Sequence, residues 1–254
     1  MDNIDQQSDE DTTRSSELLG DTVAQSEVLE SLASAVNYNR WLTDLARPHL
    51  GDSPIELGSG LGDYAQAWLD SGVPRITTTE IDPHRLTQLR SRFADDPRVE
   101  VAEINVIDPP QRRHSSYVAF NVLEHIPDHV AALRAAHSLV RPGGAVVMFV
   151  PAFNFAMSRF DRLVGHVQRF TRASLTQAYE SAGLEVEDVR YVNLPGLPAW
   201  LVGMRLLRMA PSEGPLLSLW DGRVIPLARR WENNHRIPFG QSVFAVGRVP
   251  LTAV

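Results

Sequence analysis

Residues 54–63 read P-I-E-L-G-S-G-L-G-D, and the fold class turns on how that stretch is parsed. It opens apolar at Pro54, Ile55, Glu56 and Leu57, becomes glycine-rich, and runs into D-Y-A-Q-A-W-L-D-S at 63–71, which has a helical pattern. The segment therefore predicts a strand (54–57), a tight turn and a helix (63–71). Gly58, Gly60 and Gly62 let the backbone turn sharply and approach a ligand with no Cβ in the way. The spacing is G-x-G-x-G, not the G-x-G-x-x-G of a dinucleotide-binding turn. Glu56 sits one residue before the strand ends, which disfavours a phosphate and suits a cationic ligand end such as an amine.

Outward from that stretch, apolar runs alternate with helical ones. Strands are expected at 75–81, 98–103, 116–122 and 145–150, and helices at 83–93 and 129–140. Arg141-Pro142-Gly143-Gly144 reads as a turn between the last helix and strand of that series. Such alternation argues a parallel sheet covered by helices on both faces. Upstream, Val28, Leu29, Leu32, Val36, Trp41, Leu42 and Leu45 recur at helical spacing over 26–50, with Ser26 as a cap and Pro48 at or just past the end. Tyr38-Asn39-Arg40-Trp41 lies within that helix. Downstream, a helix at 171–182 stops at Gly183, and strands follow at 184–192 and 241–249.

The totals suit one elaborated domain. The chain has 254 residues, 43% hydrophobic, enough for a substantial core. Residues 1–17 are polar and read as a disordered tail. A net charge of −7 argues against nonspecific nucleic-acid binding. No cysteine is present, which removes disulfides and thiolate metal sites. No run of 18 apolar residues exists, so a cytoplasmic protein without a membrane span is expected. The apolar stretch at 200–209 is too short to cross a bilayer and suits a cap helix, a homodimer face or contact at an interface.

Glu80 lies 20 residues after Gly60, at the expected end of strand two, where a ribose is gripped through its hydroxyls. Asp82, before Pro83, competes with it but suits a helix cap better. Strand four leads into N-V-L-E-H-I-P at 121–127, on the carboxyl side of the sheet where ligands bind. G-H-V-Q-R-F-T-R-A-S-L follows at 165–175. Among eight histidines, His125 and His166 have chemistry-bearing neighbours; His129 and His137 are expected on a helix surface, and Arg169 and Arg172 in solvent or facing phosphate.

With these motifs assembled, the chain resembles the class I S-adenosylmethionine (SAM) methyltransferases over roughly residues 36–248. The glycine turn is similar to their motif I, and the R-P-G-G hinge and V-V-M-F-V run are typical of them. The 121–127 and 165–175 stretches resemble the branch related to ubiquinone-biosynthesis O-methyltransferases. Uncharacterised bacterial methyltransferases, some found with sugar- and lipid-modifying enzymes, are also similar. The resemblance implies an α/β, Rossmann-like, doubly wound, mostly parallel sheet with a C-terminal cap, its added elements at 151–172 and 194–240. It implies SAM contacts from Tyr38, Trp41, Glu56, Gly58, Ser59, Gly60, Gly62, Glu80, Ile81, Asn105, Val106, Asn121 and Leu123. Asn105 stands where the family usually has an adenine-binding Asp; an amide oxygen accepts the same hydrogen bond, and Asp108 is its rival.

Plant small-RNA 2′-O-methyltransferases share a related E-x-x-E-H pattern with a distant His, and there four side chains hold a divalent cation. Glu124, His125 and His166 match that set, and Asn121 replaces its first Glu. An amide oxygen ligates Mg2+ without adding charge. The implied activity is O-methylation of a hydroxylated small molecule, such as a saccharide or glycolipid precursor. A hydroxyl is a poor nucleophile while protonated, so a base must take its proton or a cation must lower its pKa. His125, His166 and Asp161 are the candidates, with Asp161 either orienting His166 or acting as base. N- or C-methylation is the nearest rival. A nucleotide-cofactor dehydrogenase and a noncatalytic partner of the same fold are the other classes.

Overall fold

The computed structural model describes residues 21, 25, 34–102, 114–206 and 214–251. The expected 1–17 tail and the 26–33 part of the first helix lie outside them. Seven strands form one sheet: β1 Ile55–Leu57, β2 Ile76–Thr79, β3 Val99–Ala102, β4 His114–Phe120, β5 Val140–Pro151, β6 Glu185–Val192 and β7 Ser242–Arg248. Their order is β3-β2-β1-β4-β5-β7-β6. The first five run parallel, and β7 pairs antiparallel with both β5 and β6.

The central strands explain the two-sided packing. β4 is buried throughout, and so is Ala145–Pro151 of β5, as expected of parallel strands covered on both faces. Strand alternation divides their side chains. Val118, Phe120, Val147 and Phe149 join one core cluster, and Tyr117, Ala119, Val146 and Met148 join the other. The first cluster is covered by α1 (Val36–Leu50) and α2 (Asp63–Asp70) through Trp41, Leu42, Ala46 and Leu50, and Ala65, Trp68 and Leu69. The second is covered by α4 (His129–Leu139), with Leu133 and Ala136, and by α6 (Arg172–Ser181), with Leu175 and Tyr179. Between them in sequence lie α3 (Pro83–Arg92) and the short α5 (Arg159–Leu163).

The C-terminal cap consists of α7 (Gly196–Trp200), extended by a π-helical segment Leu201–Leu206, and a second helix. That helix runs through α8 (Pro215–Leu219), a π turn Trp220–Val224 and α9 (Ile225–Glu232). It docks onto the start of α1. Asp221 accepts from the Asn37 and Tyr38 backbone amides, both at 2.9 Å, supplying from far along the chain the cap that Ala35 lacks. No described helix is long and apolar enough to cross a membrane.

Several local expectations are corrected. Pro48 lies inside α1 rather than ending it; the missing N–H affects only the last turn, and Gly51 ends the helix at φ +73°. Residues 141–144 do not form a separate turn but a register shift within β5. Gly143 donates to Val249 and Val249 to Gly144, which keeps the segment tied to the end of β7. His129 is half-buried with its ring edge-on to Phe170, not on the surface. Trp41, whose contact with the cofactor stays an expectation, is 2% exposed and joins the core cluster with Leu42, Ala46 and Leu50. It belongs to the apolar stripe by which α1 grips the sheet.

Candidate active site

The sheet order places the ligand crevice. The chain leaves β1 toward β2 on one side, while β4 pairs with β1 on the other, so a cleft opens at their carboxyl ends. Two loops line it: 58–62 after β1 and 121–126 after β4.

The first loop is held open by glycine. Gly58, Gly60 and Gly62 all have positive φ, at +67°, +56° and +85°. A Cβ on Gly58 would sit 2.7 Å from Val122 Cγ2, in the second loop, and one on Gly62 would sit 2.5 Å from Phe93 Cε2. The Ser59 amide donates to Thr79 O at 2.7 Å, and Thr79 N donates to Ser59 Oγ at 3.2 Å. Glu80 anchors the loop: its Oε2 accepts from Gly60 N, and its Oε1 from the Ile81 and Asp82 amides, all at 2.9 Å. Arg85 Nη2 is 3.2 Å from the same Oε1. Asp82 caps α3 as expected, accepting from Arg85 N at 2.8 Å. Ile81 is largely exposed beside this carboxylate.

Glu56 lies beneath the loop, 3% exposed, with Oε2 lacking a hydrogen-bond partner. Burial pushes its pKa up to about 8, with Asp63 and Glu80 adding to the shift and a Ser59 hydrogen bond opposing it. A buried carboxylate left short of a partner is costly and attracts a cation.

The second loop starts at Asn121, exposed at φ +53°, whose amide donates to Phe149 O at 2.8 Å. A 3-10 turn, Leu123–His125, sends the Leu123 side chain into the core and buries Glu124 completely. Neither Glu124 carboxylate oxygen has a hydrogen-bond partner. Burial raises its pKa to about 7, while His166 and Arg169 pull it back. Burial also lowers His125 to about 4, reinforced by His166 and opposed by a Gly165 backbone hydrogen bond. The His125 and His166 rings meet edge to face at 4.7 Å. Glu124, His125 and His166 each offer a ligand atom, all within 4.8 Å of one another.

A buried scaffold holds His166. Its Nδ1 is 2.8 Å from Asp161 Oδ1, and its Nε2 is 3.7 Å from Glu124 Oε1. Asp161 Oδ2 accepts from the Ser158 amide and hydroxyl, both at 2.7 Å. Arg169 donates Nε and Nη2 to Asp161 Oδ1 at 3.0 and 2.7 Å, and Nη1 to Ala152 O at 3.1 Å. Burial works to raise the Asp161 pKa, but the His166 and Ser158 hydrogen bonds and the Arg169 charge hold it down at about 2. With both oxygens engaged and its proton this weakly held, Asp161 orients His166 and is poorly suited to be the base itself. Arg169, expected in solvent, is buried because it neutralises Asp161. Its guanidinium also lies over the Trp200 ring, 4.7 Å from the centroid, joining this scaffold to the cap.

A family model described as a methyltransferase domain matches residues 35–189. The chain belongs to the class I SAM-dependent methyltransferases. Among relatives of this methyltransferase domain, a Pseudomonas paraeruginosa ubiquinone biosynthesis O-methyltransferase is 30% identical over 159 residues, covering 55% of this chain and 67% of its own. A Mycolicibacterium smegmatis relative is 29% identical over 148 residues, and the match covers 57% of this chain and 56% of its own, so the chain spans about half that protein's length. The Streptomyces coelicolor geranyl diphosphate C-methyltransferase, solved with Mg2+, geranyl diphosphate and S-adenosylhomocysteine, shares the fold. Its TM-score is 0.58 at 13% identity, covering 82% of this chain and 78% of that one.

Against the methyltransferase expectations, Glu56, the three glycines, Ser59, Glu80 and Ile81 gather on the β1–β2 side of the cleft. Asn121, Glu124, His125 and His166 gather on the β4 side, apart from the inward-turned Leu123. Tyr38 is half-buried against the α1 core cluster. Asn105, Val106 and Asp108 lie outside the described residues. Sequence reasoning missed Ser158, Trp200 and the role of Arg169; the signal was available in D-x-x-x-x-H-x-x-R at 161–169.

Proposed function

We propose that this chain is a SAM-dependent O-methyltransferase acting on a hydroxylated small molecule, with a saccharide or glycolipid precursor as the favoured acceptor class. SAM would supply an electrophilic methyl on a sulfonium. The features that suit it are the positive-φ glycine loop and the partner-short Glu56, which fits the cofactor's ammonium end. Glu80 Oε2 keeps a lone pair for a ribose hydroxyl after accepting from Gly60, and Ile81 offers an apolar edge to the adenine; Asn105, through its amide oxygen, and Val106 remain its proposed further contacts.

The observation that carries the O-methyl reading is Glu124–His125–His166, set across the cleft mouth from the glycine loop. His166 Nε2 would take the acceptor O–H proton as that oxygen accepts the methyl that bound SAM would supply, the C–S bonding pair staying on the sulfur. Asp161 fixes the tautomer by taking the Nδ1 hydrogen bond, and the buried Glu124 steadies the positive charge that develops on the ring. Holding the reactants aligned contributes the rest.

A second reading has its own support. Both Glu124 oxygens lack partners, and His125 stays neutral, as a metal ligand must. Glu124, His125 and His166, with Asn121 as a fourth donor, would then hold a divalent cation that lowers the hydroxyl pKa. Two imidazoles and a carboxylate suit Zn2+ or Mn2+ better than Mg2+. Labelled SAM, screened against separate pools of sugars, quinones and lipids with and without chelator, tests both. Full turnover in excess chelator removes the cation, and label appearing only on nitrogen or carbon removes the O-methyl reading. Absence of SAM binding by calorimetry with folded protein removes the function altogether.

A further inference from the structure

Charge is unevenly distributed over this molecule. Exposed carboxylates ring the sheet core at Asp63, Asp70, Asp95, Glu100 and Asp128. Among the described residues of 151–172 and 194–240, no carboxylate is exposed. Asp161 and Asp221 are buried, and Glu232 is partly covered and accepts from the Asn193 and Leu194 amides. The same segments expose arginines, including Arg162, Arg223 and Arg230.

Large apolar side chains are exposed among those arginines. Along the 215–232 helix, Leu216, Leu219, Arg223, Leu227 and Arg230 follow one another at steps of three or four residues, so they share its outer face. Leu216 and Leu227 are each 69% exposed, and Leu206 on the other cap helix is 74% exposed. The inner face is fixed by Asp221 on α1 and by buried Ile225. The outward leucines are thus not a side effect of a loosely held helix.

We infer that the outer face of the 215–232 helix is a docking surface for an anionic phospholipid bilayer, on which the helix lies parallel to the membrane. Leucines interleaved with arginines on an acid-free face match the apolar boundary and the negative headgroups together. A second copy of the chain would bring arginine against arginine. A nucleic acid would use the arginines but leave the leucines in water. The inference is independent of the acceptor, although a bilayer-docked enzyme would meet a lipid-linked one readily.

The test is co-sedimentation of the full chain with vesicles of phosphatidylglycerol and phosphatidylcholine, and of phosphatidylcholine alone, at low and high salt. Binding should require phosphatidylglycerol and weaken with salt. It should fall at least tenfold in R223E/R230E and, separately, in L216S/L219S/L227S. SAM calorimetry on the same preparations verifies that both variants remain folded. No binding to the anionic vesicles overturns the inference, as does binding that neither variant reduces. Tighter binding to a single-stranded oligonucleotide than to vesicles, or a solution dimer that the leucine variant dissociates, assigns the face to another occupant and equally overturns it.

Discussion

Glu56 and Glu124 stand at the carboxyl ends of neighbouring strands, both sealed from water and both with oxygens short of partners, yet their surroundings differ. Around Glu56 the chain supplies glycines and more acid, with Asp63 and Glu80 raising its pKa further. Around Glu124 it supplies two imidazoles and the Asp161–Arg169 scaffold. One rim is an incomplete ion pair that a ligand's cation would complete. The other is already equipped to hold a proton or an ion in place. Under the proposed function the difference would separate recognition from chemistry, and substitutions should separate them too.

The largest effect is expected at His166. His166→Ala should lower turnover by about a thousandfold, within the range for a lost acid–base group, while calorimetry finds SAM affinity nearly unchanged. A parallel fall in affinity would mean that the two rims are not separate in function. Asp161→Asn, which keeps the shape but spoils the orientation, should cost turnover about a hundredfold. If its pH–rate profile matches that of the parent enzyme, Asp161 supports the fold and nothing more.

Glu56→Gln should act in the reverse sense, weakening SAM about tenfold, the scale of one charge-assisted contact, with little change in turnover at saturation. It also carries a pH signature. A folded pKa of about 8 against an ordinary 4.5 means that the folded state holds this proton more tightly than the unfolded chain. The penalty for ionising Glu56 is absent below about pH 4.5 and grows as pH rises toward 8. The Gln variant should therefore gain melting temperature over the parent apoprotein at pH 8 and gain less at pH 5. Gly58→Ala probes the seam between the rims. Its new methyl would press on Val122 at a positive φ, costing about 1–3 kcal/mol of stability by thermal melt. Kinetics should register a several-fold loss in both affinity and turnover.

Much of the first rim was legible because its signals are local. Three glycines in five residues, an acid before them and an acid 20 residues later specify a strand, a turn and a clamp without knowledge of the rest of the chain. Asp82 before Pro83 announced its cap in the same way. The second rim was only half legible. Glu124 and His125 adjoin, and His166 stands out by its neighbours, but the sequence does not show which atoms face each other. Arg169 was misjudged because an arginine looks the same in sequence whether it meets water or a buried carboxylate. The Arg169–Trp200 contact was out of reach, since nothing between those residues links the two side chains. The R-P-G-G segment has a turn's composition, but pairing with the far end of β7 draws it into the sheet.

Asp221 has a consequence for the order in which the molecule can be completed. The amides that open α1 are received by a carboxylate 184 residues further along. During synthesis, a ribosome releases residues 36–50 long before it has made residue 221. Until then the first-turn amides of that segment have only water to receive them.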